Sequence, residues 1–307
     1  MRSLGPCAAV LCVLLLTPVV RAQESGLHFL RLGPNATAMA LGDAHVALSR
    51  DAYATYWNAA GLAAAVQNSV AISHHLWIAD VRTYAVATRL GFGNRGALGF
   101  SVTATGTSDL EARDGPGDPA GLFDAQFLSL VAAYGRRIGP LRAGVAAKYL
   151  SEEIYVSSAN GYAFDLGLQA DALEGALQVG ASLQNLGEMS RLGAEASRLP
   201  SLIRGGVAVF PFRIRSIDDD EPLLNAFVTV EASHVFPSSD TRLHAGLGAE
   251  IMDLIHVRLG YVSNDEVRSY SVGLGIAYEP FRVDYAFLPF ESGFDGPGHV
   301  ISLAYSW

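Results

Sequence analysis

The chain has two cysteines, Cys7 and Cys12, and both fall within the first 22 of its 307 residues. Past that point there is no thiol, so disulfides, thiolate nucleophiles and thiolate metal sites are excluded. Charge is also scarce: 17% of residues are charged against 50% hydrophobic, and the net charge is −9. An acidic balance argues against nucleic acid as a partner. Beyond the first 22 residues no apolar run comes near the 18 or so needed for a membrane-crossing helix. The phosphate-binding glycine loop, the His-Glu-x-x-His helix and the Gly-x-Ser-x-Gly elbow are all missing, so no enzyme class is indicated.

Residues 1–22 read as an export signal. Arg2 supplies the positive start, Ala8 to Val20 is an apolar stretch too short for a comfortable span, and Val20-Arg21-Ala22 fits a cleavage site before Gln23. Removing Arg2 and Arg21 takes the net charge from −9 to −11. An exported chain with high apolar content and no apolar helix points to a membrane β-barrel.

From Asn68 onward, period-two alternation is nearly continuous. It predicts fourteen strands over 68–77, 81–92, 95–106, 123–136, 139–151, 160–170, 175–185, 201–211, 223–236, 240–251, 254–263, 266–279, 281–289 and 297–307. In the twelfth, Tyr270, Val272, Leu274, Ile276 and Tyr278 share one face, with Ser271, Gly273, Gly275 and Ala277 on the other. Connections after odd strands read as long (107–122, 152–159, 186–200, 290–296) and most after even strands as tight, 212–222 being the exception. That asymmetry fits long outer loops and short periplasmic turns. Aromatics gather at strand ends, Trp77, Tyr149, Tyr162, Tyr261 and Tyr270 toward one rim and Tyr134, Tyr278, Phe281 and Trp307 toward the other, as interfacial girdles would. Tyr305 and Trp307 close an amphipathic last strand, which resembles the signal read by the outer-membrane assembly machinery.

Opposite the apolar faces lie Arg142, Lys148, Asp165, Arg204, Glu231, Glu250, Arg258, Arg282 and Asp284. A charge facing lipid near the midplane costs a few kcal/mol, so these residues are expected in the lumen, pairing with one another and with whatever fills it. A fourteen-stranded barrel is too wide to be filled by its own wall side chains. Residues 23–67 are the candidate plug and 68–307 the barrel.

Residues 36–63 are the least strand-like stretch of the mature chain. Gly42-Asp43 reads as a turn and Ala44 to Ser49 as a short strand. Asp51 reads as N-cap of a helix over Ala52 to Ala60, with Gly61 as a left-handed C-cap. Gly42-Asp43, Val46-Ala47, Ser49, Asp51-Ala52 and Trp57-Asn58-x-Ala60-Gly61-Leu62 resemble the N-terminal signature of the PorV/PorQ outer-membrane proteins, themselves similar to FadL-type hydrocarbon transporters. Ala59 stands where that family usually has proline. The resemblance continues through Phe164-Asp165-Leu166-Gly167, Gln184-Asn185-Leu186-Gly187, Gly248-Ala249-Glu250, Arg258-x-Gly260-Tyr261 and Asp284-Tyr285-Ala286.

The resemblance implies a non-enzymatic barrel with an N-terminal hatch, without cofactor, associated with type IX secretion and binding secreted cargo or secretion components. The FadL-like relationship implies the alternative, passive transport of fatty acids or other hydrophobic molecules. Its partners would then be membrane lipid and a hydrophobic ligand. His74 and His75, adjacent on a strand, point to opposite faces and cannot share a metal. His244 and His256 share lumen parity and are read as wall histidines that could lie close together. The acidic clusters Asp109, Glu111, Asp114, Asp118 and Asp218, Asp219, Asp220, Glu221 read as solvated loop charge rather than calcium sites. The Asn35-Ala36-Thr37 sequon is idle in a bacterial barrel.

Overall fold

The computed structural model describes residues 27–65, 67–112, 121–192, 195–196, 198–216, 222–291 and 296–307. The stretch read as an export signal, together with Asp114, Asp118 and residues 218–221, lies outside the described residues.

Alternating residues of high β propensity give long strands. They are β1 (Ser69–Leu76), β2 (Arg82–Gly91), β3 (Ala97–Ala112), β4 (Gly121–Ile138), β5 (Leu141–Ile154), β6 (Ser157–Ala172) and β7 (Leu177–Met189), then β10 (Leu202–Arg215), β11 (Pro222–Val235), β12 (Asp240–Ile251), β13 (Ile255–Val262), β14 (Tyr270–Tyr278), β15 (Phe281–Leu288) and β16 (Gly298–Ser306). Two-residue strands β8 (Arg191–Leu192) and β9 (Glu195–Ala196) form a separate small hairpin. The other fourteen form a closed antiparallel barrel in chain order, with β1 paired to β16. Closure leaves no unpaired sheet edge, which a strand-built membrane protein requires. No helix among the described residues is long and apolar enough to cross a membrane.

The rim where β1 starts and β16 ends is called here the terminal rim, and the other the far rim. At the far rim β3 to β7 run longer than the alternation predicted, whereas β14 starts four residues later, at Tyr270. The connection read at 152–159 shrinks to Tyr155-Val156, because β5 and β6 stay paired as far as Ile154 and Ser157. At the terminal rim, 212–222 shrinks to 216–221 for the same reason. Bilayer thickness sets only the membrane-crossing part of a strand; pairing between neighbours continues beyond it wherever backbone partners face each other.

The outward face is apolar, with Leu274 55% and Ile276 61% exposed. Tyr149, Tyr162, Tyr261 and Tyr270 stand exposed toward the far rim, and Tyr134, Tyr278, Phe281 and Trp307 toward the terminal rim. Trp77 departs from the expected girdle. It is half-buried, its ring edge-on to Phe290 at 4.9 Å between centroids. Its position just past the end of β1 lets it turn over the lumen mouth instead of toward lipid.

The core lies inside the barrel. Residues 27–65 contribute Met39, Leu41, Trp57 and Leu62, each at most 1% exposed, against small wall residues such as Ala71, Ala85, Ala133 and Ala286. Where this segment approaches closest, the wall carries glycine. A Cβ on Gly144 would overlap the Ala59 backbone, on Gly167 the Asn58 Oδ1, on Gly180 the Val46 carbonyl, on Gly260 the Gly42 amide and on Gly273 the Ala40 Cβ. These glycines sit on β5, β6, β7, β13 and β14, so the wall is stripped to backbone on several sides of the segment.

Candidate functional site

The inner segment is a chain of short turns. It contains α1 (Ala36–Met39), α2 (Ala54–Trp57) and 3-10 turns at His28–Arg31 and Ala59–Ala63. Gly42 and Asp43 have φ of 64° and 66°, the turn expected of them. Four other expectations fail. Residues 44–49 form turns rather than a strand. The helix expected over 52–60 is interrupted at Asn58, whose φ of −167° is extended. Asp51 accepts from the Tyr53 amide at 2.9 Å but precedes the helical turn instead of capping it. Gly61 lies within the 3-10 turn, not in a left-handed cap. Its lack of a side chain matters because a Cβ would overlap the Ser49 carbonyl.

Asn58 explains the break. Its Nδ2 donates to the carbonyls of Val46 (3.1 Å), Leu168 (3.0 Å) and Ala181 (3.2 Å), and its Oδ1 accepts from the Ala60 amide at 3.2 Å. A continued helix would carry this amide away from the wall. Trp57 is fully buried, its Nε1 donating to Asn35 Oδ1 at 2.9 Å with the Arg204 guanidinium 5.1 Å from its ring centroid. Asn35, the nominal sequon residue, is thus a 1% exposed internal acceptor.

The nine wall charges named from the sequence all have the lumen parity of their strands. Glu231, 1% exposed, pairs with Arg204 at 2.9 Å, and its second oxygen accepts from the His45 and Val46 amides at 2.9 and 2.8 Å. Lys148 pairs with Asp165 at 2.8 Å. Arg142 and Arg50 share Asp171, and Arg258 and Arg282 share Asp284. Glu250 accepts from Asn225 at 2.9 Å and faces His256 Nδ1 at 3.5 Å. His45, enclosed by the wall, has its pKa lowered to about 3, chiefly by burial and secondarily by Arg258. Burial raises the pKa of Asp51.

His244 and His256 are not neighbours. His256 is level with Glu250 and His244 with Val262. His244 instead contacts Ser233 Oγ at 2.9 Å and the Gly42 carbonyl at 2.7 Å. Among the described residues there is no group of three or more His, Cys, Asp or Glu that could hold a metal. Tyr305 and Trp307 stack at 5.7 Å where the barrel closes, and the Asn68 and Trp307 backbones exchange two hydrogen bonds there.

Two cavities flank the inner segment. The far-rim cavity, about 560 Å³, is bounded by Leu27, Phe29, Leu32, Met39, Trp77 and Phe127 on its apolar side. Ion pairs cross its edge: Arg31 with Asp240, Arg242 with Asp240 and Asp265, and Arg268 with Asp43. The terminal-rim cavity, about 360 Å³, is more polar, with Arg50, Asp51, Arg213, Glu250, Arg258 and Arg282 among its lining.

Several anchoring residues were not singled out in the sequence. Arg89 donates to the carbonyls of Leu62, Ala65 and Gln67. Gln169 reaches those of Val46 and Ser49, and Gln184 those of Tyr56 and Trp57. All three share the inward parity of their strands, so parity was the available signal. Arg268 falls in the strand expected over 266–279 with the parity of Tyr270, the lipid face; the structure instead places it in the 263–269 connection, turned inward to Asp43.

No protein-family profile and no curated protein matches the sequence. Solved structures do. The Ralstonia pickettii toluene transporter TbuX is similar with a TM-score of 0.60 at 14% identity, over 89% of this chain and 98% of that one. A deltaS2 mutant of the TodX monoaromatic hydrocarbon channel gives 0.53 at 13% identity, over 89% and 98%. At these identities the likeness concerns the fold alone: the chain shares a closed β-barrel architecture with these two proteins.

Proposed function

We propose that the chain is a non-enzymatic, passive channel for hydrophobic small molecules, with residues 27–65 as its plug. The observation that carries this reading is the far-rim cavity, where apolar side chains of the inner segment and of the wall enclose space of small-molecule size. Six charged residues also line it, Arg31, Asp43, Arg242, Asp265 and Arg268 joined in ion pairs and Glu152 beside Phe127, and the remaining, largely apolar lining suits a ligand lacking polar groups of its own. The fold shared with a toluene transporter and a monoaromatic hydrocarbon channel supports it. In this reading Gly42, Asp43, Asp51, Trp57, Asn58, Gly61 and Leu62 shape the plug. The lumen charges hold it, and Tyr305 and Trp307 serve assembly.

The test is uptake of radiolabelled toluene and of a fatty acid by cells displaying the full chain in an outer membrane without such a channel. Uptake above the empty-vector level is expected, and Met39→Arg, which places a charge in the cavity, should abolish it. A folded barrel that passes neither probe would overturn the reading. The secretion-associated role implied by the PorV/PorQ resemblance gains no support from this geometry. Stoichiometric secreted proteins on the purified chain would revive it.

A further inference from the structure

The lipid-facing wall is not smooth. A groove of about 550 Å³ crosses β4, β5, β6 and β7 and reaches Ile203 on β10. Strand register accounts for it. Arg136 is level with Ala143, Ala143 with Leu168, Leu168 with Ala181, and Ala181 with Gly205. This row is the floor, small at Ala143 and Ala181, with Leu168 standing up between them. The next outward row is Tyr134, Val145, Leu166, Leu183 and Ile203, level with one another in the same way, and it forms a raised wall. Beyond Ala181 the floor stays low, since a Cβ on Gly205 would meet nothing within 4 Å.

The row is also oblique. Barrel strands tilt by roughly 35–45°, so a line of cross-strand partners climbs through the membrane instead of running level. It starts at Arg136, beside the terminal-rim end of β4 at Ile138, and arrives at Gly205, beside the far-rim end of β10 at Leu202. The low end of the groove therefore carries an exposed guanidinium, outward-facing at the membrane boundary, while the rest is apolar.

We infer that this groove seats one glycerophospholipid of the leaflet at the terminal rim, its phosphate on Arg136 and one acyl chain along Ala143, Leu168 and Ala181. The charge argument is specific. Arginine forms paired donor contacts with phosphate oxygens, and Tyr134 beside it presents an aromatic ring at headgroup level. The volume lies within the about 300–1,000 Å³ of sites that enclose a small molecule. Short turns mark the terminal rim as periplasmic, which places the phosphate in the phospholipid leaflet and not among lipopolysaccharide headgroups.

The experiment is native mass spectrometry of the full chain, extracted in mild detergent and supplied with palmitoyl-oleoyl phosphatidylglycerol, beside wild type with lipid A. Wild type should retain one phosphatidylglycerol. Arg136→Ala should lower retention about tenfold, the loss of a charge-assisted contact, and Arg136→Lys should keep most of it. Ala181→Phe fills the floor while leaving Arg136 in place, and should lower retention as much without lowering the barrel's melting temperature. Equal retention by wild type, Arg136→Ala and Ala181→Phe would overturn the inference. So would retention of lipid A in preference to phosphatidylglycerol, or occupancy of the groove by a protein.

Discussion

The two faces of each strand obey different rules. In β13, Ile255, Val257, Leu259 and Tyr261 point outward, while His256, Arg258 and Gly260 point inward. The outward residues meet lipid, a fluid that fits itself to any apolar shape. The inward residues meet one segment in one conformation, so each is matched to a particular atom: Gly260 to the Gly42 backbone, Arg258 to Asp284. Shape is specified on the inside; outside, polarity alone is specified except along the groove over β4 to β7.

That contrast is open to test from both sides. The largest effect is expected at Glu231. Glu231→Ala strands the buried Arg204 and leaves the His45 and Val46 amides without their acceptor, which should destabilise by about 3–5 kcal/mol; urea unfolding of the barrel in lipid vesicles reads this. Next, Gly167→Leu drives a side chain into Asn58, and a loss of about 3 kcal/mol is expected by the same assay.

A third effect comes from pH. The unfolded His45 imidazole binds a proton below its ordinary value of 6.5, whereas the folded one does not until about 3. Stability should therefore fall as pH drops through that window, by about 2 kcal/mol at pH 5, and His45→Gln should flatten the dependence. The smallest effect is expected outside: Val207→Ala, on the lipid face, should cost under about 1 kcal/mol because lipid fills the space. An outward substitution as costly as Gly167→Leu would break the contrast.

The barrel was legible in the sequence because period two persists through every strand and each face has one kind of neighbour. Strand ends were less so: pairing past the membrane at Ile154 and Ser157 depends on the adjacent strand, which no local pattern records. The inner segment was the least legible part. Its Ala-rich run has helical propensity over 52–60, but Asn58 forms its hydrogen bonds with Leu168 and Ala181, more than a hundred positions away, and these override propensity. Gly61 was assigned to a turn geometry when its reason is proximity to Ser49. The lumen charges were found by parity alone, and parity could not say that two arginines share Asp171 and two share Asp284. Trp77 and Arg268 were misplaced because both were read inside strands, over 68–77 and 266–279, that end at Leu76 and begin at Tyr270.

Closure of the sheet by β1 against β16 restricts how the barrel can be filled. The inner segment precedes every strand in the chain, yet it touches strands from both halves of the circle. Once the last seam zips, the wall offers no lateral gap, and the segment's remaining way in is through a rim. On the reading proposed above the segment is a stopper, and its fit to the wall makes it a template as well. Fourteen strands are laid round it, and a one-residue slip anywhere would turn a glycine away from the surface it must clear and set a large side chain in its stead. Asn68 and Trp307, whose backbones meet at the seam, are where an error in the winding would show itself as a circle that does not meet.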